Sequence, residues 1–256
     1  MEPLSQGRLQ GIKRRRLQGV GGPARGKILT MARAVCLVSG GMDSCVAAAR
    51  AVADGITPAF LHLTYGQRTQ RRELRAFQEI ADFYRVRERL VVDLSHLAQI
   101  GGSALTDGAI AVPEGDLHRD GVPMTYVPFR NANFLAVAVS WAEVLGAERI
   151  YIGAVEEDSS GYPDCREVFF RAFQAVIDAG TRPETRIEVV APLLHLSKKE
   201  IVRLGVDLGA PLHLTWSCYQ SEDRACGRCD SCLLRWKGFV EAGVRDPIPY
   251  AVTPSL

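Results

Sequence analysis

The chain lacks the apolar segments that would place a protein in a membrane or direct its secretion. Nowhere in its 256 residues is there a run approaching the roughly 18 apolar residues that a membrane helix needs. The first residues also lack the short apolar core and small-residue cleavage site of a secretory signal. We therefore expect a cytoplasmic protein with no membrane partner.

A GxxxxGK[ST] phosphate-binding loop and internal repeats are missing as well. The first absence excludes the P-loop NTPases. What is present is ordinary for a globular protein, with 47% hydrophobic and 23% charged residues. A chain of this length suits one large domain, or one domain with an appendage.

Positive charge is concentrated in residues 1–30, which carry seven basic groups and one acid. The formal net charge is +2 for the chain and +6 for this segment, which leaves −4 for the remainder. The segment is a nucleic-acid tether, an Arg-rich transit sequence or a disordered extension upstream of Met31. We favour the disordered extension, and because the body is acidic we expect no direct binding of nucleic acid.

Short apolar runs alternate with helical patterns along most of the chain. The predicted strands are 34–38, 58–64, 90–94, 149–155 and 187–193, and the predicted helices are 43–54, 69–84, 133–145, 164–179 and 197–208. This alternation predicts an α/β fold, a doubly wound parallel sheet with helices on both faces. The segment 133–145 is apolar nearly all round, which predicts a buried helix. The pairs Asp164–Glu167 and Ser197–Glu200 have the spacing of capping boxes. The segment 95–130 is rich in Gly and Pro without clear periodicity, as in many active-site lids.

The string SGGMDS directly follows the first predicted strand and precedes a helix. We call this segment the phosphate loop; it comprises Ser39, Gly40, Gly41, Met42, Asp43 and Ser44. Its glycines allow consecutive N–H groups to form an anion nest, and the following helix adds its positive end. Asp43 suits a phosphate site only with a cation between, so we assign it to Mg²⁺. The alternative is an ordinary strand-to-helix turn with a capping Ser39 or Asp43.

Four of the seven cysteines lie close together near the C-terminus. This four-cysteine cluster consists of Cys218, Cys226, Cys229 and Cys232, in the spacing C-x7-C-x2-C-x2-C. Four thiolates at short intervals can close a tetrahedral site, and we expect one structural zinc ion per chain. An iron–sulfur cluster or redox cysteines are the alternatives. Cys36 and Cys45 are expected to be small core residues.

Further strings accompany these two features. They are YGQR at 65–68, YVP at 126–128, RN at 130–131, SGYPDCR at 160–166, PL at 192–193 and LTWSCY at 214–219. The phosphate loop resembles that of the PP-loop ATP pyrophosphatase superfamily. The whole set, over about residues 32 to 249, resembles the 7-cyano-7-deazaguanine synthase family of queuosine and archaeosine biosynthesis.

The resemblance implies an ATP-dependent C–N ligase. The substrate would be 7-carboxy-7-deazaguanine, the nitrogen donor free ammonia and the product a nitrile, formed through an adenylate and an amide. It also implies a homodimer and a division into an extension at 1–30, an ATP-binding domain at 31–210 and a zinc-binding segment at 211–256.

Residue roles beyond the phosphate loop are hypotheses. Arg68 and Arg130 are candidate catalytic residues, because a guanidinium can clamp the substrate carboxylate or the ATP phosphates. The candidate substrate-binding residues are Tyr162 for stacking on the base, Asp164 for the guanine-like edge and Arg166 for phosphate. The structural alternatives are surface charge for the first two arginines, a core position for Tyr162, a helix N-cap for Asp164 and a first-turn position for Arg166.

Two positions depart from the family pattern. Phe129 stands where Gly is expected before Arg130, and Thr69 stands where His is expected after YGQR. We expect Phe129 to fill space beside the site, and we assign no catalytic histidine.

Three other functions remain open from the sequence. A PP-loop enzyme that modifies RNA would need a basic surface or an RNA-binding domain, which the acidic body lacks. A second possibility is an enzyme that attaches a deazaguanine to a macromolecule, which Phe129 leaves open. The third is a non-catalytic zinc-dependent interaction protein, against which the intact phosphate loop argues.

Overall fold

The computed structural model describes residues 32–116, 121–156 and 161–255. The predicted extension at 1–30 and Ser160 of the SGYPDCR string lie outside the described residues. Residues 31–256 form one compact unit. The functional division at residue 210 stays a prediction.

Five parallel strands form one sheet, as the alternating pattern predicts. They are β1 (Arg33–Leu37), β2 (Thr57–Thr64), β3 (Arg89–Asp93), β4 (Arg149–Tyr151) and β5 (Glu188–Val190). The spatial order is β3-β2-β1-β4-β5, and every neighbouring pair is parallel. The order reverses at β1, so a crevice opens beyond the carboxyl ends of β1 and β4, where such folds bind ligands.

The last two strands are shorter than predicted. The apolar residues that follow β4 and β5, such as Ile152 and Leu193, are buried but lie beyond the paired residues. The last bond between these strands runs from the Ile152 N–H to the Val190 carbonyl oxygen at 3.0 Å. Gly153 lies against the phosphate loop, where a Cβ would meet the backbone of Asp43 and Ser44 at 2.6 Å. A run of apolar residues indicates burial but not strand pairing. The lengths of these two strands predicted from the sequence are therefore too great.

Seven α-helices are present in the described part of the chain. They are α1 (Met42–Ala53), α2 (Gln70–Phe83), α3 (His96–Ile100), α4 (Arg130–Leu145), α5 (Glu167–Gly180), α6 (Lys198–Asp207) and α7 (Asp230–Ala242). Short 3-10 turns lie at Pro163–Cys165 and Leu212–Leu214. The predicted capping box of α6 is confirmed, since Ser197 accepts from the Glu200 N–H and the Glu200 side chain accepts from the Ser197 N–H.

Helix α5 begins later than predicted. The expected capping box of Asp164 and Glu167 does not form, and Arg166 occupies the N-cap position. The Asp164 carboxylate instead accepts a hydrogen bond of 2.8 Å from the backbone N–H of Asn131, in the first turn of α4. Asp164 therefore caps a helix, but a different one from the helix that follows it.

Helix α4 is not buried all round, which was the expectation from its apolar sequence. Leu135, Ala138 and Ala142 are buried on the face that packs against the sheet. Val144 lies on the other side and is 78% exposed. Small alanines allow close packing on β1, while the outer face remains open.

Two helices of the structure were not predicted from the sequence. Helix α3 lies inside the segment predicted to be a structureless lid. Helix α7 begins directly after Cys229 and packs against α6. Gly238 on α7 lies so near Lys198 that a Cβ there would meet the Lys198 carbonyl oxygen at 2.9 Å. No helix of the described ranges is long and apolar enough to cross a membrane.

Candidate active site and candidate metal centre

A cavity of about 260 Å³ opens at the carboxyl ends of β1, β2 and β4. One wall is the phosphate loop, together with residues from α6 and α7. The rest of the polar and aromatic lining comes from the residue after β2, from α2 and α4, from the residues before α5 and from the segment around Cys218. We call this part the opposite wall, although the backbone of Glu73 also lies against Gly40 of the loop. Its side chains are those of Tyr65, Glu73, Arg130, Asn131, Tyr162 and Tyr219.

The phosphate loop has the geometry of an anion nest. Gly40 has a φ of +91°, and a Cβ there would meet the carbonyl oxygen of Glu73 at 2.6 Å, so only glycine fits. The hydroxyls of Ser39 and Ser44 lie 3.0 Å apart, and Ser39 Oγ accepts from the N–H of Gly41 at 3.2 Å. Among the described residues, no side chain accepts a hydrogen bond from the first-turn N–H groups of α1, so these groups remain available to an anion. The capping alternative is not observed.

Lys198 approaches the loop from the start of α6. Its ammonium donates to Asp43 Oδ2 at 2.7 Å, and the residue is only 7% exposed. The other carboxylate oxygen, Asp43 Oδ1, is buried and accepts no hydrogen bond from the described residues. Asp43 thus retains one oxygen that suits a divalent cation between the loop and a phosphate.

Arg130 lies in the opposite wall, surrounded by aromatic rings. The centroids of Tyr65, Phe134 and Tyr162 lie 5.6, 5.5 and 5.7 Å from its guanidinium carbon. Its Nη1 donates to the Tyr65 hydroxyl at 3.2 Å, whereas its Nε is buried without a partner among the described residues. No carboxylate of the described ranges forms an ion pair with it. A buried cation of this kind suits an oxygen-rich ligand.

Tyr162 also lines the cavity. Its hydroxyl donates to Thr125 Oγ1 at 2.9 Å, and its ring lies 5.7 Å from the ring of Tyr126. The hydroxyl is therefore engaged, and the ring face is what Tyr162 offers to a planar ligand.

The four-cysteine cluster has the geometry of a metal site. All four Sγ atoms lie within 4.8 Å of one another. Cys226 and Cys232 are 3.9 Å apart, close to the spacing of about 3.8 Å expected for sulfurs around a tetrahedral ion at a metal–sulfur distance of about 2.3 Å. The backbone N–H of Cys226 donates to Cys218 Sγ at 3.3 Å, which suits a thiolate. Gly227 has a φ of +77°, as its place in the tight turn predicts.

The cluster is tied to the cavity through α7. Arg235, on this helix, is 2% exposed and forms a bidentate pair with Asp246 at 2.8 and 2.9 Å. It also donates to Thr215 Oγ1 at 2.7 Å, next to the segment that leads to Cys218. These bonds hold α7, with Arg235 itself in the cavity wall.

A family model described as "Queuosine biosynthesis protein QueC" matches residues 33–243. The chain belongs to this QueC family. A curated 7-cyano-7-deazaguanine synthase from Chlorobaculum tepidum is 59% identical over 87% of this chain and 98% of its own length. One from Chloroherpeton thalassium is 57% identical over 87% of this chain and 99% of its own length.

Two solved structures share part of the fold. A 4-thiouridine synthetase in complex with RNA and ATP is 22% identical, with a TM-score of 0.45 over 70% of this chain and 41% of that chain. An NMN synthetase from Francisella tularensis is 17% identical, with a TM-score of 0.40 over 72% and 63% of the two chains. At this similarity neither structure bears on the activity of the QueC family member.

Two residues predicted to bind phosphate or substrate oxygens are absent from the cavity wall. Arg68 donates to the backbone oxygens of Ala104, Asp107 and Ile110 at 2.8, 2.8 and 2.6 Å. It therefore holds the segment that follows α3. Arg166 is exposed and donates to the carbonyl oxygen of Pro163 at 3.0 Å.

Asp164 is also absent from the cavity wall. It is 3% exposed, and its bond to Asn131 orients α4 so that Arg130 enters the site. The structure thus gives Asp164 a supporting position at α4, and not the N-cap position of α5 that the structural alternative predicted.

Phe129 does not line the cavity, and it packs beside it. Its backbone is left-handed, with φ 57° and ψ 27°, which explains physically why the family pattern has glycine here. The side chain is 61% exposed, and its ring lies 6.3 Å from that of Phe169 on α5. In this QueC family member, Phe129 packs outside the cavity.

The sequence did not single out Lys198 and Glu73, which line the cavity, or Thr69 as a partner of Glu73. Thr69 is 2% exposed and donates to Glu73 Oε1 at 2.7 Å. One signal was available for Glu73: it lies three, four and seven positions before the buried residues Ala76, Phe77 and Ile80, on the inward face of α2. Lys198 offered no such signal, because it follows a helix cap in a polar stretch.

Proposed function

We propose that this chain converts 7-carboxy-7-deazaguanine and ammonia to 7-cyano-7-deazaguanine with ATP, as a step of queuosine or archaeosine biosynthesis. The observation that carries the proposal is the convergence of the phosphate loop, Lys198 and Arg130 on one cavity. The names and high identity of the curated relatives support the same reaction.

The first half of the reaction makes an amide. A carboxylate oxygen of the substrate attacks the α-phosphorus of ATP, and pyrophosphate leaves. Ammonia then attacks the activated carbon, AMP leaves with that oxygen, and one proton is lost. The loop N–H groups, Ser39, Ser44 and Lys198 are positioned to neutralise the phosphate charge that develops.

The second half removes the remaining oxygen. The amide oxygen attacks a second ATP, pyrophosphate leaves again, and loss of AMP and of both protons on the amide nitrogen leaves the nitrile. The same loop serves both halves, because each places a phosphorus leaving group on an oxygen atom. Arg130 is proposed to bind substrate oxygens or ATP phosphates, and Tyr162 to stack on the base.

Asp43 Oδ1 is the proposed protein ligand for Mg²⁺, which, when bound, would shield the charge of the phosphates. For the four-cysteine cluster we propose one zinc ion with a structural role, because four cysteine ligands would leave no open coordination position for a substrate. The thiolate ligands require reduced cysteines, which supports a cytoplasmic location. Elemental analysis should give one zinc per chain. A brown protein containing iron would contradict this assignment.

We also propose a homodimer. Support comes from exposed apolar side chains on α4 and α5, where Val144, Val168 and Val176 are 78%, 51% and 62% exposed. Light scattering during gel filtration should give about twice the chain mass of 28.0 kDa. A mass equal to one chain would contradict it.

The test of the function is an incubation with 7-carboxy-7-deazaguanine, ammonium, Mg²⁺ and ATP, followed by mass spectrometry. The wild type should form the nitrile, and Asp43→Ala should not. Asp82→Ala is the matched control, because Asp82 forms a surface ion pair with Arg89 away from the cavity. A product that stops at the amide, or no product at all, would contradict the proposal.

A further inference from the structure

Two carboxylates lie in the described wall of the cavity, and they differ in their partners. Asp43 is paired with Lys198. Glu73, on α2, forms no ion pair with any basic group of the described residues. Burial raises the pKa of Glu73, an effect that the bonds from Gln67 and Thr69 and the nearby charge of Arg130 only reduce. A carboxylate with only neutral partners can still accept further hydrogen bonds.

The neutral partners of Glu73 fix its orientation without saturating it. Gln67 Nε2 donates to Oε2 at 3.0 Å, and Thr69 Oγ1 donates to Oε1 at 2.7 Å. Gln67 is itself fixed, because its Oε1 accepts from the backbone N–H of Tyr65 at 2.8 Å. Each carboxylate oxygen can accept a further bond, so the pair can take two adjacent N–H groups.

We propose that Glu73 binds the guanine-like edge of the substrate, accepting from its ring N–H and its exocyclic amine. The inference rests on the proposed function, which supplies a ligand with two adjacent donors. Enzymes read single bases in this manner, with hydrogen bonds to the pairing edge and stacking on aromatic rings. Tyr162 and Tyr65 line the same wall. Glu73 takes the role first assigned to Asp164, which lies outside the cavity wall.

The proposal is tested by comparing two substrates in three proteins. The substrates are 7-carboxy-7-deazaguanine and the analogue that lacks the 2-amino group. The proteins are the wild type, Glu73→Gln and the control Glu79→Gln, which changes the same residue type on the same helix. Glu79 forms an ion pair with Arg72 at 3.8 Å and does not line the cavity.

The wild type and Glu79→Gln should prefer the amino substrate by about 100-fold or more in kcat/KM, since the analogue without the 2-amino group leaves one acceptor position of a half-buried carboxylate unfilled. In Glu73→Gln this ratio should fall at least about tenfold, chiefly through KM, because an amide nitrogen replaces an acceptor. Calorimetric titration of the amino substrate without ATP should show the same loss of affinity.

Several outcomes would overturn the inference. One is a wild type that does not distinguish the two substrates, a result that does not depend on the folding of any variant. Another is a Glu73→Gln protein that loses activity equally on both, as expected if Glu73 only orders Gln67 and Thr69. If the wild type forms no nitrile at all, the proposed function fails instead. If it forms nitrile but Glu73→Gln keeps the full ratio, this inference alone fails.

Discussion

The two walls of the cavity are built in different ways. The phosphate loop is one continuous segment, 39–44, fixed by its own hydroxyl and backbone hydrogen bonds. The opposite wall takes Tyr65, Glu73, Arg130 and Tyr162 from four parts of the chain. The first wall offers N–H groups and hydroxyls that suit any nucleotide phosphate, whereas the second offers rings and separated charges that suit one shape of substrate. The phosphate-binding backbone is therefore defined by local sequence, whereas Lys198 beside it and the whole opposite wall depend on tertiary structure.

The largest effect is expected at the loop wall. Lys198→Met removes a buried cation beside the phosphates and leaves Asp43 unpaired, so nitrile formation should fall about 100- to 1000-fold. Lys199→Met is the control, because the neighbouring lysine does not line the cavity. Rates are measured by pyrophosphate release. Equal rates for the two variants would contradict a role of Lys198 in the reaction.

A smaller loss is expected at the opposite wall. Arg130→Met should lower kcat/KM about 10- to 100-fold, because a charge-assisted bond is lost. Arg166→Met, in a residue that the sequence also suggested but the structure places outside, should change it less than about twofold. If Arg166→Met lowered kcat/KM more than Arg130→Met, the assignment of Arg130 to the site and of Arg166 to the surface would be wrong.

Phe129→Gly should leave nitrile formation within about threefold of wild type, since the ring lies outside the cavity. Glycine removes a left-handed strain of about 1 kcal/mol and also removes the contact with Phe169, so the melting temperature should change by only a few degrees. Thermal unfolding and the rate assay check the two parts separately. A change from nitrile to amide as the product would contradict this and would show that Phe129 affects the reaction.

The smallest effect concerns pH. Because the folded pKa of Glu73 is raised, its ionisation costs stability once the pH rises above its ordinary value. The wild type should therefore lose stability relative to Glu73→Gln between pH 4.5 and pH 7.5. Melting temperatures of both proteins at the two pH values measure this, with Glu79→Gln as the reference. A difference that stays constant across this range would contradict the raised pKa.

The sequence predicted the local features well, and the tertiary ones poorly. The loop, the cysteine spacing and the capping box of α6 depend on neighbouring residues, so a short string defines them. Arg68 and Asp164 were chosen from strings of the same kind, yet their side chains are taken by the 104–110 segment and by α4. Such competition between partners is visible only when the elements are packed.

Lys198 and Glu73 show the converse case, in which residues that line the cavity could not be recognised from the sequence. Lys198 follows a cap and lies in a run of charged residues, so its burial against Asp43 could not be inferred from its neighbours. Glu73 occupies the inward stripe of α2, but a carboxylate there also suits a solvated helix face. Both become candidates only when the sheet order places α2 and α6 at the same crevice.

The central claim is that the substrate's own oxygen atoms become attached to the α-phosphorus of ATP. The direct test uses 7-carboxy-7-deazaguanine with both carboxylate oxygens replaced by ¹⁸O, and mass spectrometry of the nucleotides after the reaction. The account predicts two AMP molecules for each nitrile, each carrying one ¹⁸O atom. Unlabelled AMP, or label recovered in inorganic phosphate, would contradict it.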